Sequence, residues 1–436
     1  MSSLLSDARK NLENKDTSLR VGRVSKVVGL LIEAEGTRAR VGELCSIESE
    51  GGEDIPAEVV GFHEGKLLLM PYRSMSGVQA GSHVRPSGHP LRLKLGNALI
   101  GRVLDGLGRP MDNLEDPVLR HSRDIGSRAP KPLERAPIHK SFQTGIKSID
   151  GMLTCGEGQR MGIFAGSGVG KSVLLGMLAR NAEADVVVLA LIGERGREVR
   201  EFIEESLGPE GLARSVVVAV TSDATALERV KGAETAMAIA EYFRDQGKKV
   251  LVMMDSVTRY AMALREIGLA TGEPAASKGY TPSVFAALPK LLERAGINEK
   301  GSITGLFTVL VEGDDLNEPI SDAVRAILDG HVVLSRRLAS LGQFPAVDLL
   351  DSVSRLFPKV SSKEQVGNAR KLIESMAIYR ENEDLIQIGA YQAGSSVEID
   401  RAIELRPRWI EFMRQDIAER FEMKDTLEGL QKLVSQ

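Results

Sequence analysis

The spacing of hydrophobic positions changes several times along the chain, and each change predicts a different kind of element. Leu4, Leu5, Ala8 and Leu12 fall on one side of a short amphipathic helix over residues 1–18, a surface that needs a partner. From residue 19 to 90 the pattern becomes short β-branched or leucine runs broken by Gly and charge. Examples are Gly29-Leu30-Leu31-Ile32, Glu58-Val59-Val60-Gly61 and Lys66-Leu67-Leu68-Leu69-Met70. Short strands at close spacing predict a small β-barrel. After a turn at Gly101-Arg102-Val103-Leu104-Asp105-Gly106, a stretch rich in Pro, Arg and His reads as an extended surface connection. Within residues 91–358, strand-like runs at 161–164, 186–192, 216–220, 250–254 and 303–311 alternate with longer helical segments, which predicts an α/β domain with a parallel sheet. Residues 359–436 carry helical spacing only and predict a helical C-terminal domain.

Composition narrows the class. Apolar residues make up 42% and charged residues 27% of 436, as in a soluble globular protein, and no run of about eighteen apolar residues is present to span a bilayer. The start, Met1-Ser2-Ser3-Leu4-Leu5-Ser6-Asp7, lacks the basic and apolar regions of a secretory signal, so a cytoplasmic protein is expected. Cys45 and Cys155 stand alone and offer neither a metal-ligand spacing nor a disulfide framework. A formal net charge of −4 argues against binding nucleic acid by counterion release.

The strongest local signal is Ala165-Gly166-Ser167-Gly168-Val169-Gly170-Lys171-Ser172, which follows a short apolar strand and opens a helix. Glycines there let successive backbone N–H groups curl around phosphate oxygens, and the helix N-terminus adds favourable dipole charge. Lys171 is then placed for the β and γ phosphates of ATP and Ser172 for Mg²⁺; Ala165 replaces the glycine of the consensus at its least demanding position. The second signal is Lys249-Val250-Leu251-Val252-Met253-Met254-Asp255-Ser256, an apolar strand ending in a carboxylate. Alone, such an Asp reads as a helix cap; paired with a P-loop it reads as part of the Mg²⁺ shell. Gly193-Glu194-Arg195-Gly196-Arg197-Glu198 lies just past a third buried strand. By spacing alone Glu194 is equally a general base for the attacking water and a member of a surface salt-bridge cluster.

These segments resemble the type III protein-export ATPases, relatives of the catalytic subunit of rotary ATP synthases. The likeness continues through Asp255-Ser256-Val257-Thr258-Arg259-Tyr260-Ala261, Lys278-Gly279-Tyr280-Thr281-Pro282, Ile327-Leu328-Asp329-Gly330-His331 and Leu334-Ser335-Arg336-Arg337, and is greatest to the flagellum-specific branch. The resemblance implies an N-terminal β-barrel, a RecA-like P-loop nucleotide domain and a helical C-terminal domain. It implies Glu194 as the catalytic carboxylate, where non-catalytic synthase subunits carry Gln, and Arg195 as a γ-phosphate contact. Asp351-Ser352-Val353-Ser354-Arg355 resembles the arginine-finger segment, and Phe344 and Tyr391 align with the adenine pocket.

The same resemblance implies a homohexamer with ATP and Mg²⁺. Its implied partners are a stator-like regulatory protein at the N-terminus, a coiled-coil stalk near Glu312-Gly313-Asp314-Asp315 in the ring centre, and an export gate receiving chaperone–substrate complexes, with peripheral recruitment to the cytoplasmic face of the inner membrane. An injectisome ATPase is the nearest alternative. A synthase catalytic subunit fits the segment Arg265-Glu266-Ile267-Gly268 less well. An RNA translocase needs stacking platforms on a basic barrel, and the first hundred residues contain only Phe62 and Tyr72 as aromatics.

Overall fold

The computed structural model describes residues 21–127, 129–311, 313 and 315–435, so the amphipathic helix expected over 1–18 lies outside the described residues. These residues form two compact units. One runs through Arg92 and includes Ile267–Glu273; the other comprises Leu93–Glu266 and the chain from Pro274 onward.

The first unit contains six antiparallel strands: β1 (Gly22–Val28), β2 (Leu31–Glu35), β3 (Glu43–Ile47), β4 (Ile55–His63), β5 (Lys66–Pro71) and β6 (His83–Pro90). They close in the order β1-β2-β5-β4-β3-β6, with Gly22 of β1 opposite Val84 of β6. Closure leaves no free edge to pair with another chain. Alternation does the sorting: Ile55, Ala57 and Val59 of β4 point into a core with Ile32, Ile47 and Leu69, and the residues between them face outward.

In the second unit the strands are β7 (Val103–Leu104), β8 (Arg160–Ala165), β9 (Val186–Glu194), β10 (Ser215–Thr221), β11 (Lys249–Asp255), β12 (Ser302–Leu310), β13 (Gly330–Leu334) and β14 (Val347–Ser354). Their order is β14-β13-β8-β12-β11-β9-β10-β7, parallel except between β13 and β14. All five runs read as strands in the sequence belong to this sheet. Eight consecutive buried positions in β9 show why they read as continuous apolar runs rather than alternations: both faces are covered. The segment expected to be a turn and surface connection is more ordered than its composition suggests. Val103 and Leu104 pair with Val217 and Val218 as the edge strand, and the guanidinium of the buried Arg102 makes two 2.7 Å bonds to Asp112. That partner holds the Asp112 carboxyl down at about 2.

The helices that matter to the site are α1 (Lys171–Asn181), α2 (Gly196–Glu201), α3 (Ala226–Arg244), α4 (Val257–Ala270), α5 (Lys363–Gln387), α6 (Val397–Met413) and α7 (Met423–Ser435). The last three supply Leu372, Trp409, Met413 and Leu430 to the same apolar core as the sheet. Gln365 at the start of α5 donates to the carbonyls of Asp150 and Gly151, tying the helical region to the base of the nucleotide domain.

A π-helical segment, Phe202–Leu207, packs against α1 at Gly176, where a Cβ would collide with the Ser206 carbonyl oxygen. Alanine is normally the better helix former by about 1 kcal/mol, but overpacking of a fixed backbone costs about 1–3 kcal/mol. Gly176→Ala is therefore expected to lower the apparent melting temperature by roughly 2–4 °C, measured by scanning calorimetry. An unchanged or raised value would mean that the π-helical segment yields.

Candidate active site

The turn between β8 and α1 places residues 165–172 at the carboxyl end of a central strand, where open α/β sheets bind ligands. Gly168 and Gly170 have φ of 77° and 86°, a left-handed backbone that only glycine adopts readily. Val169 between them is buried in the core and pins the loop, and Ser167 and Ser172 are exposed at its lip.

Three side chains from three neighbouring elements converge. Lys171 Nζ donates to Asp255 Oδ1 at 2.5 Å and lies 3.8 Å from Glu194 Oε1. Asp255 ends β11 and Glu194 ends β9, adjacent parallel strands whose carboxyl ends lie side by side. Ser172, Glu194, Glu198 and Asp255 line one cavity of about 200 Å³. Burial first, then the neighbouring Asp255 carboxylate, pushes Glu194 up to about 7 despite the opposing Lys171. Two acidic groups and one ammonium at the mouth of a P-loop form a site that can hold a triphosphate and take a proton from water.

The donor set suits Mg²⁺, which takes one or two protein oxygens and fills the rest of its shell with water and phosphate oxygens. Ser172 and Asp255 supply such a pair at the cavity wall.

Other expected residues stand elsewhere. Arg195 is exposed, with its guanidinium 3.3 Å from Glu198, and the structure does not bring it into contact with Lys171. Arg355 follows β14, whose antiparallel course carries it to the end of the strands opposite the P-loop. Ser354 is level with Gly330 at the start of β13, whereas Ala165 is level with Leu334 at its end. Four residue steps separate those levels, about 13 Å at roughly 3.3 Å each, and β13 lies between the two strands, so Arg355 stands away from the P-loop of its own chain.

Phe344 stands beside the P-loop, its ring 3.4 Å from where a Cβ on Gly170 would lie. Tyr391 is not with it. Its hydroxyl bonds Asp400 Oδ1 at 2.9 Å in the first turn of α6, and Gln415, which donates its N–H to the Phe344 carbonyl, lies beyond the other end of that helix. At about 1.5 Å per residue, α6 puts roughly 20 Å between Tyr391's anchor and Phe344. Gln415 also donates to the Gly145 carbonyl, and the carbonyl of the exposed Ile417 accepts from Arg180 of α1. The segment after α6, and not Tyr391's anchor, thus bonds to Phe344 and to the end of α1.

Two residues gained no role from sequence. Arg259, in the first turn of α4, packs its stem against Gly193 beside Glu194, and its buried Nε has no hydrogen-bond partner among the described residues. The second is Thr308, on β12. An arginine one helical turn past the strand-ending Asp was a legible signal for the first; a lone threonine in an apolar strand was not.

Comparison with known proteins decides the family. Residues 145–354 match the nucleotide-binding domain of the ATP synthase alpha/beta family, and residues 24–88 match its beta-barrel domain. The chain belongs to that family. Residues 361–432 match the C-terminal domain of the type III secretion ATPase EscN, so within the family this is a type III export ATPase, an enzyme that hydrolyses ATP. The "Flagellum-specific ATP synthase" of Bacillus subtilis is 54% identical, the match covering 97% of each chain. The "SPI-2 type 3 secretion system ATPase" of Salmonella typhimurium is 50% identical over 92% of each. Among solved structures, assembled EscN of enteropathogenic E. coli in complex with its central stalk EscO matches with a TM-score of 0.88 and 47% identity, covering 95% of this chain and all of that one. Among the described residues of this type III ATPase, no helix is long and apolar enough to cross a membrane.

Proposed function

We propose that this type III ATPase hydrolyses Mg-ATP in a homohexameric ring to drive export of flagellar proteins. The observation that carries the reading is the split site: Lys171, Asp255 and Glu194 meet at the P-loop, and Arg355 sits at the opposite end of the strands of the same sheet. In one chain this leaves the finger without a phosphate; in a closed ring a neighbour supplies one.

In this mechanism the backbone of residues 166–170 cradles the phosphates and Lys171 exchanges its bond to Asp255 for the β and γ oxygens. Glu194 orients the attacking water and accepts its proton, and Arg259 offers its unpartnered Nε–H to the γ phosphate. Mg²⁺, held by Ser172 and Asp255, would neutralise charge across the phosphates. Arg195, exposed beside Glu198, is the further γ-phosphate contact that the resemblance implies.

The base stacks on Phe344, with the segment at Gln415–Ile417 in place of Tyr391 as the second wall. Base–aromatic stacking is worth about 1–3 kcal/mol, so Phe344→Ala is expected to weaken binding of a fluorescent ATP analogue roughly tenfold, and Phe344→Tyr to bind nearly as wild type. Equal affinity in Phe344→Ala would place the base elsewhere.

The complex of the EscN relative with its central stalk supports a stalk partner for this ring. The loop expected to meet it includes Glu312 and Asp314, which lie outside the described residues, as does the segment assigned to a stator-like regulator. Recruitment to an export gate at the inner membrane, with delivery of chaperone–substrate complexes, completes the reading. Identity favours the flagellar over the injectisome role by a few percent only, 54% against 50%. Deleting the gene tests the choice: loss of filaments with effector secretion intact supports the flagellar role, and the reverse rejects it.

A further inference from the structure

Strand β12 is buried at eight of its nine positions, so a hydroxyl carried on it must find a partner within the fold. Thr304 accepts from the Gly158 N–H. Thr308, wholly buried, donates to Asp255 Oδ1 at 2.8 Å, with the Met254 carbonyl 3.2 Å from the same hydroxyl. Lys171 Nζ reaches that same carboxylate oxygen at 2.5 Å. Among the described residues the hydrogen bonds to this carboxylate therefore fall on Oδ1.

The two donors differ in permanence. Lys171 stands on the first residue of α1 with a long flexible stem, and bound phosphate competes for its ammonium. Thr308 is fixed on a central strand, packed between β8 and β11. A carboxylate held by one mobile donor swings easily, because the terminal torsion of Asp is broad.

We propose that Thr308 is a positioning residue for the known reaction. Its hydroxyl holds Asp255 Oδ1 when ATP draws Lys171 away, so that Oδ2 faces the cavity shared with Ser172 and serves Mg²⁺. This rests on the Mg-ATP role proposed for Asp255.

The test uses the full chain as Thr308→Val, which keeps the shape and β-strand preference and removes the hydroxyl, and as Thr308→Ser, which restores it. Asp255→Asn is the reference. Mn²⁺ binding is followed by water proton relaxation with a non-hydrolysable ATP analogue present, and analogue affinity is measured separately in EDTA. Outer-shell partners of metal ligands typically contribute about 10–100-fold, so Thr308→Val should weaken Mn²⁺ binding at least tenfold. Its analogue affinity in EDTA and its melting temperature should match wild type, and Thr308→Ser should recover Mn²⁺ binding. Wild-type Mn²⁺ affinity in Thr308→Val, alongside a defective Asp255→Asn, overturns the inference and leaves the role of Asp255 standing. Equal loss of analogue affinity in EDTA and an early melt in both Thr308 variants overturn it in favour of a packing role. Wild-type Mn²⁺ affinity in Asp255→Asn removes the reading on which the inference stands.

Discussion

Glu194→Gln is expected to bind ATP at least as well as the wild type while its turnover falls by roughly 10²–10⁴, the range that a positioned general base contributes. The amide keeps the shape of the side chain but removes the proton acceptor. It also removes one of two negative charges beside Lys171, 3.8 Å away, which is why binding should not suffer. The pH profile supplies a second readout. Burial and Asp255 raise the wild-type carboxyl to about 7, so the ionised base is lost as pH falls through that value. For the wild type kcat/KM should therefore drop on the acid side below pH 7, and the residual activity of Glu194→Gln should lack that limb. A variant that kept most of its turnover, or the same limb in both proteins, would assign the base elsewhere.

The second large effect concerns Arg355. An arginine finger is worth roughly 10³–10⁵ in rate, or about 4–7 kcal/mol of barrier. Arg355→Ala should bind ATP and scarcely hydrolyse it. Its position at the end of the strands away from its own P-loop makes a sharper demand: the defect must be rescued from a neighbouring subunit. Mixing Arg355→Ala with Lys171→Ala, each inactive alone, creates interfaces that pair an intact Lys171 with an intact neighbouring Arg355. In a randomly mixed closed ring these are about a quarter of all interfaces. Those sites should regain hydrolysis, measured as phosphate release after subunit exchange has been verified by labelled-subunit mixing. Full activity of Arg355→Ala alone rejects the finger, and no recovery after proven exchange rejects its action in trans.

The local chemistry was legible because short segments carry it. A Gly-rich turn between a strand and a helix needs glycines wherever φ is positive, and Gly168 and Gly170 meet that need. Buried strands of a parallel sheet need unbroken apolar runs, and β8 to β12 show them. The barrel followed from short β-branched or leucine runs broken by Gly and charge at close spacing. Residues 101–106 defeated this approach: Val103 and Leu104 are too few to show a period, and they become a strand only because Val217 and Val218 are there to pair with them.

What the sequence by itself determined is the make-up and local geometry of the candidate phosphate site: Lys171 and Ser172 opening a helix, and Asp255 and Glu194 each ending an apolar strand. The tertiary structure alone decided distances across the chain. Lys171, Asp255 and Glu194 come together because β9 and β11 are neighbours in the sheet and the P-loop ends another of its strands, an order that no single segment encodes. Tyr391 and Phe344 are held apart because α6 lies between Tyr391's anchor and Gln415, a rigid length that local spacing cannot reveal. Arg355 lies at the opposite end of the strands because β14 runs antiparallel to its neighbour, and Thr308 touches Asp255 because β12 pairs with β11. Helix α6 sets the separation of Tyr391 from Phe344; hydrogen-bond pairing between distant strands sets the other relations, and its direction and order depend on the packing of the whole sheet.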